Sequence, residues 1–195
     1  MTTAYMATEP EIENEMVRAA CAHLTRTDLT FARAWLGVAP EDIAGPPVGL
    51  LVGEMPGENT SDRLPMFPYP AGSAAGRLLR LSGMTPGMYL GRFWRRNLFT
   101  SYDPRWNSVA AKTKAEEVRE WTRKVDGSIR VILLGTKVAA AFGIPMWGRA
   151  SETTPTNNLV EYATIPHPSG RNPIYNQEKA KQAAQLAMMW AGGFV

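Results

Sequence analysis

The chain has 195 residues, 45% hydrophobic and 20% charged, enough for one domain with a sizeable core and unlike a disordered or fibrous chain. No apolar stretch approaches the roughly 20 residues that span a bilayer, and the acidic start MTTAYMATEPEIENE lacks the apolar centre of a signal peptide. The net charge of +3 is unevenly spread: residues 1–62 carry −7, residues 63–114 carry +8 and residues 115–195 carry +2.

In chain order, residues 9–26 are expected to form a helix, with Pro10 and acids in the first turn and Ile12, Met16, Ala19 and Leu24 at helical spacing. Asp28 caps a second helix that Gly37 ends near Leu36, and residues 39–47, rich in proline, form a loop. Three short apolar runs follow along the chain, Val48–Val52, Ile129–Leu134 and Val160–Ile165, each of the length of a strand buried on both faces. Asn97–Tyr102 is a weaker fourth. Helical patterns cover about 74–82, 87–95, 108–125, 136–142 and 177–191. Strands alternating with helices predict an α/β fold, a three-layer α/β/α sandwich around a four-stranded, mostly parallel sheet. One domain is expected over residues 1–195, with the helical segment 1–40 packed on it.

Cys21 is the only cysteine, which excludes an internal disulfide or a cysteine-built cluster and fits a reducing, cytoplasmic setting. The basic block at 63–114, with Arg77, Arg80, Arg92, Arg95 and Arg96, suits a polyanion such as nucleic acid, and equally suits a solvated helix face.

Ligands of parallel sheets sit at the carboxyl ends of the strands, and three distinctive loops fall there. They are Gly53-Glu54-Met55-Pro56-Gly57, Arg95-Arg96-Asn97-Leu98-Phe99 and Pro166-His167-Pro168-Ser169-Gly170-Arg171-Asn172, with the aromatic segment Met66-Phe67-Pro68-Tyr69-Pro70 close behind the first. A carboxylate, an amide and an imidazole would converge on one crevice. The first loop is no phosphate cradle, because neither GxxxxGK[ST] nor GxGxxG is present and Glu54 stands where the phosphate charge would go.

This set resembles the uracil-DNA glycosylase superfamily, most of all its thermophile-type branch. Gly53-Glu54-Met55-Pro56-Gly57 is similar to the branch's GEAPG motif, Ala75-Gly76-Arg77-Leu78-Leu79 to its AGxLL helix start, Ile132-Leu133-Leu134-Gly135 to its xxLG strand, and His167-Pro168-Ser169 to its closing HPS loop. The resemblance covers about residues 48–190. It implies that an aromatic stacks on the flipped base, a place for which Phe67 and Tyr69 compete, and that Asn97 reads the base edge. It also places Arg171 as a wedge into the base stack. The branch carries an iron–sulfur cluster on four cysteines; with one cysteine this chain would be a relative without cluster, metal or other cofactor.

Hydrolysis of an N-glycosidic bond leaves positive charge on the sugar and negative charge on the base. Glu54 is the candidate for stabilising the first or orienting a water, and His167 for stabilising the second. Asn97 offers an acceptor and a donor to the N3–H and O4 of a uracil-like edge. Gly57 leaves space beside the C5 position. Arg95, Arg96, Ser169 and Arg171 are expected to hold the DNA, from which the target base must be flipped out or presented on a single strand. The expected protein is a monomeric DNA glycosylase with DNA as partner and no membrane association. The alternatives are an enzyme of the same fold acting on a modified pyrimidine or nucleotide, and a nucleic-acid-binding relative without turnover.

Overall fold

The computed structural model describes Gly37, residues 46–58 and residues 65–195. The two helices predicted at 9–26 and 28–36, and the packing of segment 1–40, lie outside the described residues. Strand β1 (Gly49–Gly53) is GLLVG and is buried at every position. Helices α1 (Ala74–Ser82) and α2 (Pro86–Arg92) lead into β2 (Phe93–Asn97). Next come α3 (Ser108–Lys124), β3 (Ile129–Leu134), α4 (Thr136–Ala141), β4 (Arg149–Thr153) and β5 (Leu159–Ile165). A short 3-10 turn, Pro173–Asn176, precedes α5 (Glu178–Ala191).

The helix starts follow local chemistry. The Ser73 hydroxyl accepts from Gly76 N at 3.0 Å, the Thr85 hydroxyl accepts from Met88 N at 3.2 Å, and Asn107 Oδ1 accepts from Val109 N and Ala110 N. Gly83, at φ 69°, ends α1 in the left-handed region that glycine enters without strain.

The sheet runs in the order β2-β1-β3-β5-β4, with β2, β1, β3 and β5 parallel and β4 antiparallel to β5. Strand alternation sorts the apolar side chains into two cores. Leu51, Ile132, Leu134, Ala163 and Ile165 pack with α1, α2 and α5 through Leu78, Tyr89, Leu90, Ala184 and Met188. Leu50, Val52, Val131, Leu133, Val160 and Tyr162 pack with α3 and α4 through Ala111, Ala115, Val118 and Val138. Helices therefore cover both faces, and the α/β reading holds, with three layers.

Two details differ from the sequence expectation. The sheet has five strands, not four: β4 is RASET, a polar and largely exposed edge strand with one neighbour, so it lacks the apolar run that marks a buried strand. The strand expected at Asn97–Tyr102 lies instead at Phe93–Asn97, and the helix expected to reach residue 95 ends at Arg92. Phe93 and Trp94 begin this strand in the two cores, while Arg95 and Arg96 break its apolar character.

Among the described residues no helix is long and apolar enough to cross a membrane.

Candidate active site

From β1 the chain crosses to β2 on one side and then returns past β1 to β3 on the other. The loops leaving β1 and β3 therefore diverge, and the carboxyl ends of these two strands form the switch point where a parallel sheet opens a crevice. The loop after β1 starts with Glu54. Its backbone is fixed by a continuation of the strand ladder: Leu98 N donates to Gly53 O at 2.9 Å and Phe99 N to Glu54 O at 3.1 Å. Met55 Sδ accepts from Asp103 N at 3.4 Å, which ties the same loop to the segment after β2.

On the other side of the switch point stands Lys137, in the first turn of α4. Its Nζ donates to Glu54 Oε1 at 2.6 Å and lies 5.2 Å from the centroid of the Trp106 ring. Trp106 is itself held edge-on by Phe99, with centroids 5.5 Å apart. The sequence reading did not select Lys137. Its position two residues beyond Gly135, at the end of an apolar run, was the available signal.

His167 follows β5. Gly135, at φ 96°, passes beneath it, and a Cβ at position 135 would come within 3.1 Å of the His167 Cβ, so this crossing requires glycine. The loop is braced by its own side chains: Asn172 Nδ2 donates to His167 O at 3.1 Å, and the Tyr175 hydroxyl donates to Pro166 O at 2.6 Å. Ser169 N donates to His167 Nδ1 at 3.2 Å. Nδ1 is thus an acceptor, and in the neutral ring the proton sits on Nε2. Burial pushes the imidazole below its ordinary pKa; Glu54 opposes this and Lys137 adds to it. The ring is therefore neutral at pH 7 and presents an Nε2–H donor.

Asn97 ends β2 in register with Gly53. A side chain at position 53 would run into Asn97 Oδ1 and then the Met66 thioether, at 3.4 Å from its methyl. Gly53 is thus what allows the amide and the thioether to close over the end of β1. Among the described residues no side-chain hydrogen bond is made by the Asn97 amide. Met66 adopts φ 52°, and its carbonyl accepts from the buried Tyr89 hydroxyl at 3.1 Å. Desolvation holds that phenol protonated, well above its ordinary pKa.

The remaining predicted residues divide. Phe67 is 7% exposed and belongs to the core beneath α1, whereas Tyr69 is 41% exposed. Gly57 is exposed, Ser169 half-buried and Arg171 exposed. Arg95 corrects the expectation of a DNA contact: it is fully buried, because strand alternation turns it inward on the same face as Phe93. Arg96 points the other way, half-buried; burial lowers its pKa and the charge of Glu117 raises it. Arg77 reaches from α1 to the loop after β5, where its guanidinium covers Gly170, so that a side chain there would have to displace it.

Chemically, the crevice holds a carboxylate, an amine, a neutral imidazole and an unengaged amide, all at the carboxyl ends of four neighbouring strands. No protein-family model matches the chain, and no curated protein matches it in sequence. Among the described residues no group of three or more His, Cys, Asp and Glu side chains is arranged to hold a metal ion.

Proposed function

We propose that this protein is a DNA glycosylase that hydrolyses the N-glycosidic bond of uracil or a uracil-like base. The observation that carries the reading is the opposition of Glu54 and neutral His167 across the end of β3, with the Lys137–Glu54 contact marking where the two meet. In this reading Glu54 faces the sugar, where its charge stabilises the developing oxocarbenium ion and orients the attacking water. His167 donates Nε2–H to the oxygen of the departing base, which leaves as an anion. A neutral donor suits that task, since protonation of the ring would also break the bond from Ser169 N to Nδ1.

Asn97 then reads the base edge, accepting from N3–H and donating to O4. Tyr69, the exposed ring of the two candidates, would stack on the base, which contributes about 1–3 kcal/mol, whereas Phe67 is buried in the core. Arg77, Ser169 and Arg171 form the polar rim that would meet phosphates, in place of the buried Arg95.

The test is a panel of oligonucleotides carrying uracil, 5-substituted uracils or only normal bases, incubated with the protein and then treated with alkali. Release of free uracil, with strand cleavage at that position after alkali, supports the proposal. Binding without base release overturns it in favour of a nucleic-acid-binding protein without turnover. Release confined to a substituted base moves the substrate to modified pyrimidines.

A further inference from the structure

Lys137 is not explained by stability. An ion pair whose members are 46% and 24% exposed contributes about 0–1 kcal/mol. Nor does base hydrolysis need it, because a cation clamped on Glu54 competes with the sugar cation that the carboxylate is there to stabilise. What the position does supply is a primary amine in contact with a carboxylate that can take its proton, with the Trp106 ring 5.2 Å from the same nitrogen. A lysine amine attacks carbonyl carbon to form an imine once it has lost its proton, and an adjacent base is one group that can take that proton. The abasic deoxyribose left by base removal is such a compound, an aldehyde at C1′ in its open form.

We propose that Lys137 is the nucleophile of a second activity, cleavage of the DNA strand at abasic sites by β-elimination. The source of the abasic site rests on the glycosylase reading above; the elimination itself does not. Glu54 accepts a proton from the Lys137 ammonium. The freed lone pair forms the Nζ–C1′ bond as the carbonyl π pair moves to oxygen, which takes the proton back from Glu54. Glu54 removes a second proton from nitrogen and delivers it to that hydroxyl, which leaves as water, giving a protonated imine. Glu54 then takes a proton from C2′; the C–H pair forms the C2′–C3′ double bond, and the C3′–O bond breaks with its electron pair leaving on the 3′-phosphate. One water hydrolyses the imine, returning Lys137 as the ammonium and releasing an unsaturated aldehyde, and Glu54 passes the C2′ proton to the departing phosphate. The water consumed replaces the one released, and no oxidant or reductant takes part.

The experiment uses the full chain, an oligonucleotide with one preformed abasic site, and sodium borohydride to reduce the imine to a stable amine. A covalent protein–DNA adduct is expected on a denaturing gel, and proteolysis with mass spectrometry should map it to Lys137. Without borohydride the strand should carry the β-elimination end. Lys137→Arg keeps a cation beside Glu54 but forms no stable imine, and should lower the adduct at least tenfold at an unchanged melting temperature. No adduct, an adduct on another amine, or an undiminished adduct in the variant overturns the proposal. Should the variant fail to fold, mapping on the native protein still decides. Uracil release is measured separately. Adduct without release from any base-bearing oligonucleotide sinks the glycosylase reading and keeps this one; release without adduct does the reverse.

Discussion

Replacing Glu54 with Gln separates the proposed catalytic role of this residue from any structural one. The substitution keeps the shape of the side chain and its hydrogen-bonding reach, and removes only the charge. Structurally the loss is one ion pair, to Lys137, whose side chain is 46% exposed and can turn to water. A pair of this kind contributes up to about 1 kcal/mol, which for a domain of this size moves the melting temperature by roughly 2–4 °C. The backbone of residue 54 stays anchored by Phe99 N, which donates to its carbonyl at 3.1 Å. Catalytically the loss should be far larger. A positioned general base contributes about 10²–10⁴ in rate, or about 3–5 kcal/mol of barrier. The assay is single-turnover release of uracil from a labelled oligonucleotide at pH 7, with melting curves of both proteins alongside. A rate within threefold of the native protein at equal stability would refute the assignment. Lost activity accompanied by a melting temperature lowered by ten degrees or more would instead make Glu54 a structural residue.

His167→Asn should flatten the acid side of the stability curve. The folded ring has a pKa below its ordinary value of about 6.5, so between the two values the unfolded chain binds more protons and stability falls as pH drops below about 6.5, with no such loss above it; equal slopes of melting temperature against pH in both proteins would contradict this. Gly53→Ala should displace the Asn97 amide, costing about 1–3 kcal/mol of stability as an overpacked site does, and base release should drop beyond what that stability loss predicts; full activity would remove Asn97 from the base pocket. Gly57→Tyr should narrow the substrate range. Gly57 is exposed and brings no side chain to the place beside C5, and an apolar wall there discriminates a methyl-sized group by about 1–3 kcal/mol. The ratio of release rates for uracil and 5-hydroxymethyluracil should therefore rise in the variant, and an unchanged ratio would place the C5 wall elsewhere.

The parts of this fold that could be read from sequence are those whose cause is local. β1, β3 and β5 are buried on both faces, so each appears as an uninterrupted apolar run, and α1 is fixed by Ser73 at one end and Gly83 at the other. β4 has no such signature, because an edge strand of exposed polar residues is held by its pairing with β5 and by ion pairs such as Arg123 with Glu152, not by burial of its own side chains. β2 was displaced for a related reason: two arginines within five residues read as a surface, yet Arg95 is fully buried. The same division runs through the site. Glu54 and His167 stand at strand ends where the chain's own pattern places them, whereas Asn97, expected to open a strand, closes β2. Lys137 acquires its meaning only from a contact across 83 positions of sequence, which no local pattern contains.

The basic middle block has a related lesson for how such a protein would hold a polyanion. Charge counted along the chain assigns +8 to residues 63–114, but folding spends much of it internally. Arg95 is buried, Arg92 stacks over Phe194 at 5.5 Å, and Arg80 donates to the Ala71 carbonyl at 2.5 Å. The cations gathered around the crevice come from three separate segments: Arg77 against Gly170, Arg171 in the loop after β5, and Lys137 after β3. Each phosphate neutralised contributes about 0.7–0.9 to the slope of binding against salt. A nucleic acid held by this rim would therefore show the salt dependence of two or three contacts, not of a nine-cation patch. Such a grip is weak, and in the proposed reading most of its selectivity has to come from Glu54, Asn97 and His167 at the strand ends.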